Sequence, residues 1–197
     1  VINEIQLTEA TIGYLEGWLT QDENYTPVRT HAADTFSKNT ERAAAANSAG
    51  ASLLLSVHGN SDPYSSDSYG LECYPQPPGR THHEDSLRLA HLIADKFGAA
   101  GQRLRGNAGV RYIYYAGDDE SGYEKQVVEE SDSTVYSEQN FGLWEKTDCP
   151  AVLVEQCFVT SEADVAAWGT DDGCRRAARL NYEAICEYFG TEPLPGT

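Results

Sequence analysis

Two apolar runs, Leu53-Leu54-Leu55-Ser56-Val57 and Ala151-Val152-Leu153-Val154, constrain the fold of this chain more than any other feature. Neither alternates apolar and polar residues as a strand with one wet face does, so both read as buried strands. The first passes directly into His58-Gly59-Asn60-Ser61. The second, introduced by Pro150, passes into Glu155-Gln156-Cys157-Phe158 about a hundred residues further on. Open α/β sheets present their chemistry outside the carboxyl ends of their strands. His58 and Glu155 are therefore two polar groups expected to face one cleft. Each has a plainer reading, His58 as a loop cap and Glu155 as the partner of a nearby arginine. Together they point to a hydrolytic or metal site.

Around the two strands the apolar spacing is mostly helical. Leu7, Thr11, Tyr14, Leu15, Trp18 and Leu19 predict an amphipathic helix from residue 4 or 6 to residue 20. Residues 25–30 read as a short strand. Asp34 or Thr35 is the expected cap of a second helix, which runs through the alanines to Asn47 and closes at Gly50. A strand at 51–57 is followed by a neighbour at 69–74 and a Pro/Gly turn at 75–79. Leu87, Ala90, His91, Ala94 and Phe97 mark a helix over 84–97. Residues 110–115 read as extended, 141–144 as a short strand and 151–154 as the second buried strand. Ser161 caps a short helix holding residues 164–168, and a last helix spans 171–189. Strands separated by helices predict an α/β fold of three layers, with a mostly parallel or mixed central sheet and helices on both faces. Residues 1–190 form one domain in this reading and 191–197 a tail. The polar segment 116–139 has eight acidic residues and only Lys125 to offset them. It interrupts the layer pattern as a solvated loop or small hairpin, and as a functional element it would be a lid or substrate rim.

The 197 residues carry 14 basic and 31 acidic side chains, a formal net charge of −17. Such a field disfavours nucleic acid and docking to an anionic membrane surface. No apolar run approaches the ~20 residues of a membrane span, and no signal peptide is visible. Five cysteines, none in a CxxC spacing, indicate neither a zinc knuckle nor a full disulfide framework. They read as buried thiols, with a Cys149–Cys157 bridge as the alternative. The chain has no methionine and opens on Val1, which reads as a processed or trimmed product.

Four segments then follow in order: Ser56-Val57-His58-Gly59-Asn60-Ser61; Gly70-Leu71-Glu72-Cys73-Tyr74; Asn107-Ala108-Gly109-Val110-Arg111; and Asp148-Cys149-Pro150 through Ser161, with Asp164. This set resembles the zinc-dependent N-acetylmuramoyl-L-alanine amidases of the Amidase_3 type, hydrolases of bacterial wall remodelling and of phage and prophage endolysins. The resemblance runs from about residue 2 to residue 189. It implies a Zn2+ ion held by a histidine, a glutamate and a second histidine, with a further glutamate as general base. His58 matches the second histidine and Glu155 the catalytic glutamate. The ligand glutamate of the family opens the first helix in an Asn-Glu context, here Asn3-Glu4, with Glu9 as the nearby rival. The family's first histidine precedes that segment, and this sequence has no position for it. The first strand and its histidine are accordingly expected upstream of Val1. A chain complete as it stands would be left with two protein ligands. His31, His82, His83 and His91 lie where the family has no ligand and read as surface or packing residues.

The resemblance further implies that the metal acidifies a water, that Glu155 takes its proton, and that the amide between muramic acid and L-alanine is cut. Asn60, Glu72 and Arg111 are the expected substrate-binding residues, against a turn-forming role for Asn60 and a surface ion pair for the other two. The expected partner is bacterial peptidoglycan. A monomer acting outside the cell or in the wall, as an autolysin or a released endolysin, completes the expectation. Two other classes compete with it. One is a non-catalytic peptidoglycan-binding module that has lost a zinc ligand. The other is a cysteine hydrolase with Cys157 as nucleophile and His58 as base.

Overall fold

The computed structural model describes residues 2–33, 35–118 and 122–196. Helix α1, Glu4–Gln21, opens where the Asn3 side chain accepts a hydrogen bond from the Ile5 amide, and it buries Leu7, Thr11 and Leu15 along one stripe. Helix α2, Asn39–Ser48, turns Ala43 and Ala46 inward. Strands β1, Leu54–Asn60, and β2, Glu72–Pro75, precede helix α3, His83–Ala99. Strands β3, Arg111–Asp118, and β4, Gly122–Glu129, form an antiparallel hairpin. Strand β5, Ala151–Phe158, leads into the short helix α4, Glu162–Asp164, capped by Ser161 and continued by a π-helical turn, Val165–Gly169. Helix α5, Asp171–Phe189, starts on a Thr170 cap and ends at Gly190, whose φ of 73° closes the last turn.

The central sheet has the order β1-β5-β2, with β5 in the middle. Strand β1 runs parallel to β5 and β2 antiparallel to it, so the sheet is mixed. One face carries α1, α3 and α5, whose Leu7, Leu89, Ile93, Phe97, Cys174 and Ala177 pack with Val152 and Val154 of β5. The other face packs Leu54, Tyr74 and Leu153 against Ala43 and Ala46 of α2, Ile113 of the hairpin, and Trp144. This is the three-layer α/β arrangement that the two apolar runs predict.

Several expected boundaries move. Residues 25–30 form no strand. Tyr25 instead packs on Tyr182 and Phe189, and Arg29 pairs with Glu9 and Glu16 from α1. Residues 141–144 lie in a turn and a 3-10 helix, Trp144–Lys146, because their aromatic side chains pack inward without a neighbouring strand to pair with. Helix α2 starts at Asn39 rather than after Thr35, whose hydroxyl bonds the Ala32 carbonyl; the alternative cap, Asp34, lies outside the described residues. The acidic segment is part hairpin and part loop: residues 116–118 and 122–129 belong to a β3–β4 hairpin that already begins at Arg111, and 130–139 follow it as a turn and loop. All five cysteines are buried free thiols, so the Cys149–Cys157 bridge is not formed.

Candidate active site

Both central strands run beyond their apolar cores. His58 and Glu155 therefore lie inside β1 and β5, not in turns after them, because main-chain pairing persists as far as a bond from the Val159 amide to the Asn60 carbonyl at 2.8 Å. Tertiary pairing overrides the turn propensity of Gly59-Asn60-Ser61. In the β1–β5 register His58 stands opposite Glu155, and in the β2–β5 register Glu155 stands opposite Glu72. Residues paired across strands share a face. His58, Glu155 and Glu72 thus form one row across three strands, with strands about 4.8 Å apart, on the face away from the three long helices.

Glu4 reaches the end of this row from the first turn of α1. Its Oε1 lies 3.0 Å from His58 Nδ1 and accepts the Gly59 amide at 3.2 Å. There is little room beyond Gly59: a Cβ would come within 2.6 Å of Val159 Cγ1 and 3.2 Å of Leu7 Cδ2, so a larger residue would have to displace them. The hydrogen bond to His58 holds the Glu4 carboxyl below its ordinary pKa. His58 Nε2 meets the Ser56 hydroxyl at 3.0 Å. Glu9 points elsewhere, to Arg29 at 2.8 Å, which removes it as a rival to Glu4.

The two glutamates of the row have opposite surroundings. Glu72 is held by Arg105, by Arg111 at 3.4 Å and by the Tyr74 hydroxyl. It is only 3% exposed, so the pair expected at the surface is a buried network. Glu155 has no arginine, and its Oε2 is buried without a hydrogen-bond partner. Burial pushes its pKa up to about 7; the charges of Glu4 and Glu72 add to the rise, while His58 and Lys125 oppose it. Asn60 accepts the Ser61 amide at 2.8 Å, the turn contact considered for it. It also lines a polar recess of about 200 Å³ with Glu72, Arg105, Arg111 and Lys125.

The N-acetylmuramoyl-L-alanine amidase family model matches residues 1–187. The chain belongs to this family. Its members cut the amide that joins sugar to peptide in the bacterial wall. Among solved structures, the catalytic domain of CwlV, an amidase of this name from Bacillus (Paenibacillus) polymyxa var. colistinus, is 26% identical with a TM-score of 0.72. That match covers 96% of this chain and 86% of that one. The N-acetylmuramoyl-L-alanine amidase from Clostridium difficile 630 is 19% identical with a TM-score of 0.74, covering 97% and 86%. The catalytic domain of the CD27L endolysin targeting Clostridia difficile is 18% identical with a TM-score of 0.61, covering 94% and 84%. The last two likenesses concern the fold alone. No functionally curated protein matches the chain.

Amidases of this family are generally zinc-dependent, and the donors present can be tested against that ion. Tetrahedral zinc with ligand bonds of about 2.0–2.1 Å places two donors roughly 3.3 Å apart. An imidazole nitrogen and a carboxylate oxygen, 3.0 Å apart and both partly open to solvent, match that requirement. Among the described residues no cluster of three or more His, Cys, Asp or Glu forms. His58 and Glu4 supply two donors at that spacing, one short of the three protein donors that a catalytic zinc site uses.

Cys157 does not share the Glu155 face. Between His58 and Asn60 the register advances two residues on β1 but three on β5, a bulge that places an extra residue after Glu155. Beyond it Gln156 bonds Thr11 of α1, and Cys157 sits wholly buried in the helical core, where burial pushes its thiol pKa well up. A protonated thiol with no solvent access is no nucleophile. His83 packs on Tyr112, and His91 pairs with Glu130, as expected of structural histidines. The sequence reading missed Arg105, Lys125, Arg42, Tyr115 and Trp144 around the row. Each comes from a segment whose approach only the tertiary fold determines.

Proposed function

We propose that this chain hydrolyses the amide between N-acetylmuramic acid and L-alanine of peptidoglycan, with Glu155 as the proton-transfer group and Glu4 and His58 as protein donors to zinc. The observation that carries this reading is the pairing of a buried carboxyl, its Oε2 without a hydrogen-bond partner, with a donor pair made of His58 on the neighbouring strand and Glu4 from the first turn of α1. A zinc ion held by Glu4 and His58 would supply Lewis acidity, lowering the pKa of water and polarising the amide carbonyl. Glu155 performs the proton work. With a pKa near 7 it accepts a proton from the attacking water and returns it to the departing alanine amine at neutral pH. Arg105 and Arg111 bind the Glu72 carboxyl, and Glu72, beside Glu155, favours the proton on it. Arg111 and Asn60 line the polar recess beside the row, where they orient polar groups of the substrate.

The β3–β4 hairpin serves as the rim of this site: Tyr115 and Lys125, partners across it, both act electrostatically with Glu155. Every group invoked comes from one chain, so the reading needs no second copy. No helix among the described residues is long and apolar enough to cross a membrane. The substrate sets the place of action at the cell wall, as an exported autolysin or a released endolysin.

The test uses purified peptidoglycan and zinc-supplemented protein. New alanine amino termini without new reducing sugar ends are expected, abolished by a chelator and by Glu155→Gln. Reducing ends in place of amines, or wall binding with no release of stem peptide, would overturn the proposal.

A further inference from the structure

Beside His58, on the side of the row opposite the polar recess, a cavity of about 250 Å³ opens between β1, the start of α2 and the turn before β5. Tyr115, Phe141 and Trp144 supply aromatic walls, and Asn39 and Arg42 of α2 supply polar ones. No acidic side chain lines it, in a protein of net charge −17. One feature is unspent. Arg42 Nε donates to the Ser37 carbonyl at 3.1 Å, which fixes the guanidinium plane, while its terminal nitrogens have no protein partner among the described residues.

We infer that this cavity is the subsite for the carboxylate carried by the second residue of the stem peptide, with Arg42 as its charge partner; the inference rests on the amidase reading and extends it. A guanidinium fork selects a planar, bidentate anion. The space holds about eight waters at ~30 Å³ each, room for one acid-bearing residue and not for a disaccharide. In wall peptides the second residue is D-glutamate joined onward through its side chain, so its α-carboxyl stands off the chain as a branch. Such a branch can enter a recess beside His58 while the rest of the stem passes the mouth. Walls whose glutamate is amidated present a neutral group there, and Arg42 discriminates against them.

Calorimetric or NMR titration with two dipeptides, L-alanyl-D-glutamate and L-alanyl-D-isoglutamine, isolates that one group. The wild-type protein is expected to bind the acid about tenfold or more tightly than the amide, the worth of a charge-assisted hydrogen bond. Arg42→Gln erases the difference, and Arg42→Lys, which keeps charge without the fork, retains part of it and serves if the glutamine variant melts early. Equal affinities in the wild type, or a preference that survives in a folded Arg42→Gln protein, overturn the subsite. Wall hydrolysis without acid preference counts against the subsite alone. Acid preference without wall hydrolysis supports the subsite and counts against the amidase reading.

Discussion

Glu155 and Glu72 occupy adjacent strands in direct register, yet Glu72 has three direct partners while Glu155 Oε2 is buried with none. This difference predicts a measurable conflict between stability and activity. Glu155 has a folded pKa raised from 4.5 to about 7, so between those pH values the unfolded chain releases its proton first and the fold loses stability as pH rises. Above pH 7 the loss is complete, up to about 3 kcal/mol. In metal-free protein, Glu155→Gln should therefore be more stable than wild type at pH 8 by up to that amount and indistinguishable near pH 4. Urea melts at the two pH values decide it, and a constant difference would refute the assignment. The same substitution should lower turnover by about 10²–10⁴-fold. At this scale much of the site was legible. Glu155 and His58 stand out only as a pair, because one polar residue after an apolar run has an ordinary structural reading, whereas two such residues ending two buried strands point to one cleft. Arg42 and Trp144 do not, since an arginine on a short polar helix and a tryptophan in a loop look the same whether they line a cavity or cover a surface.

Helix α1 is the element on which the site depends, because its first turn delivers Glu4 and its buried stripe fixes where that turn stands. Gly59→Ala tests the arrangement. The added methyl meets Val159 and Leu7 at 2.6 and 3.2 Å, and either must move. A loss of about 1–3 kcal/mol is expected from overpacking, together with weakened zinc binding as Glu4 is pushed from His58. Thermal melts and a zinc titration measure the two effects separately; retained zinc affinity in a destabilised variant would break the proposed link. Helices α1, α3 and α5 could be read from spacing alone, because each keeps one apolar stripe over at least four turns. Residues 25–30 and 141–144 could not. Short apolar stretches have the same composition whether or not a strand lies next to them, and only the finished sheet shows that its edges are β1 and β2.

The molecule as a whole is a mixed sheet between three long helices and a thinner layer of α2 and the hairpin, carrying a charge of −17. Bacterial walls are also anionic, so approach is opposed at long range. Raising sodium chloride from about 10 to about 150 mM shortens the Debye length from roughly 30 to 8 Å. The initial rate on intact walls should climb over that range, while cleavage of a soluble, uncharged muramyl peptide stays level. A wall rate that falls with salt would show that local contacts outweigh net charge. The layer order follows from the two apolar runs, and that is why it was legible; the β5 bulge was not, since nothing in Glu155-Gln156-Cys157 marks an extra residue. That bulge acts as a change of metre. Up to Glu155 the strand beats alternately between cleft and helices, and then it places two successive residues on the helical side before the count resumes. Exchanging Gln156 or Cys157 alters a contact, whereas removing either one would take out the extra residue, leave Phe158 opposite Asn60 in regular alternation, and cost the helical core one of its two successive anchors.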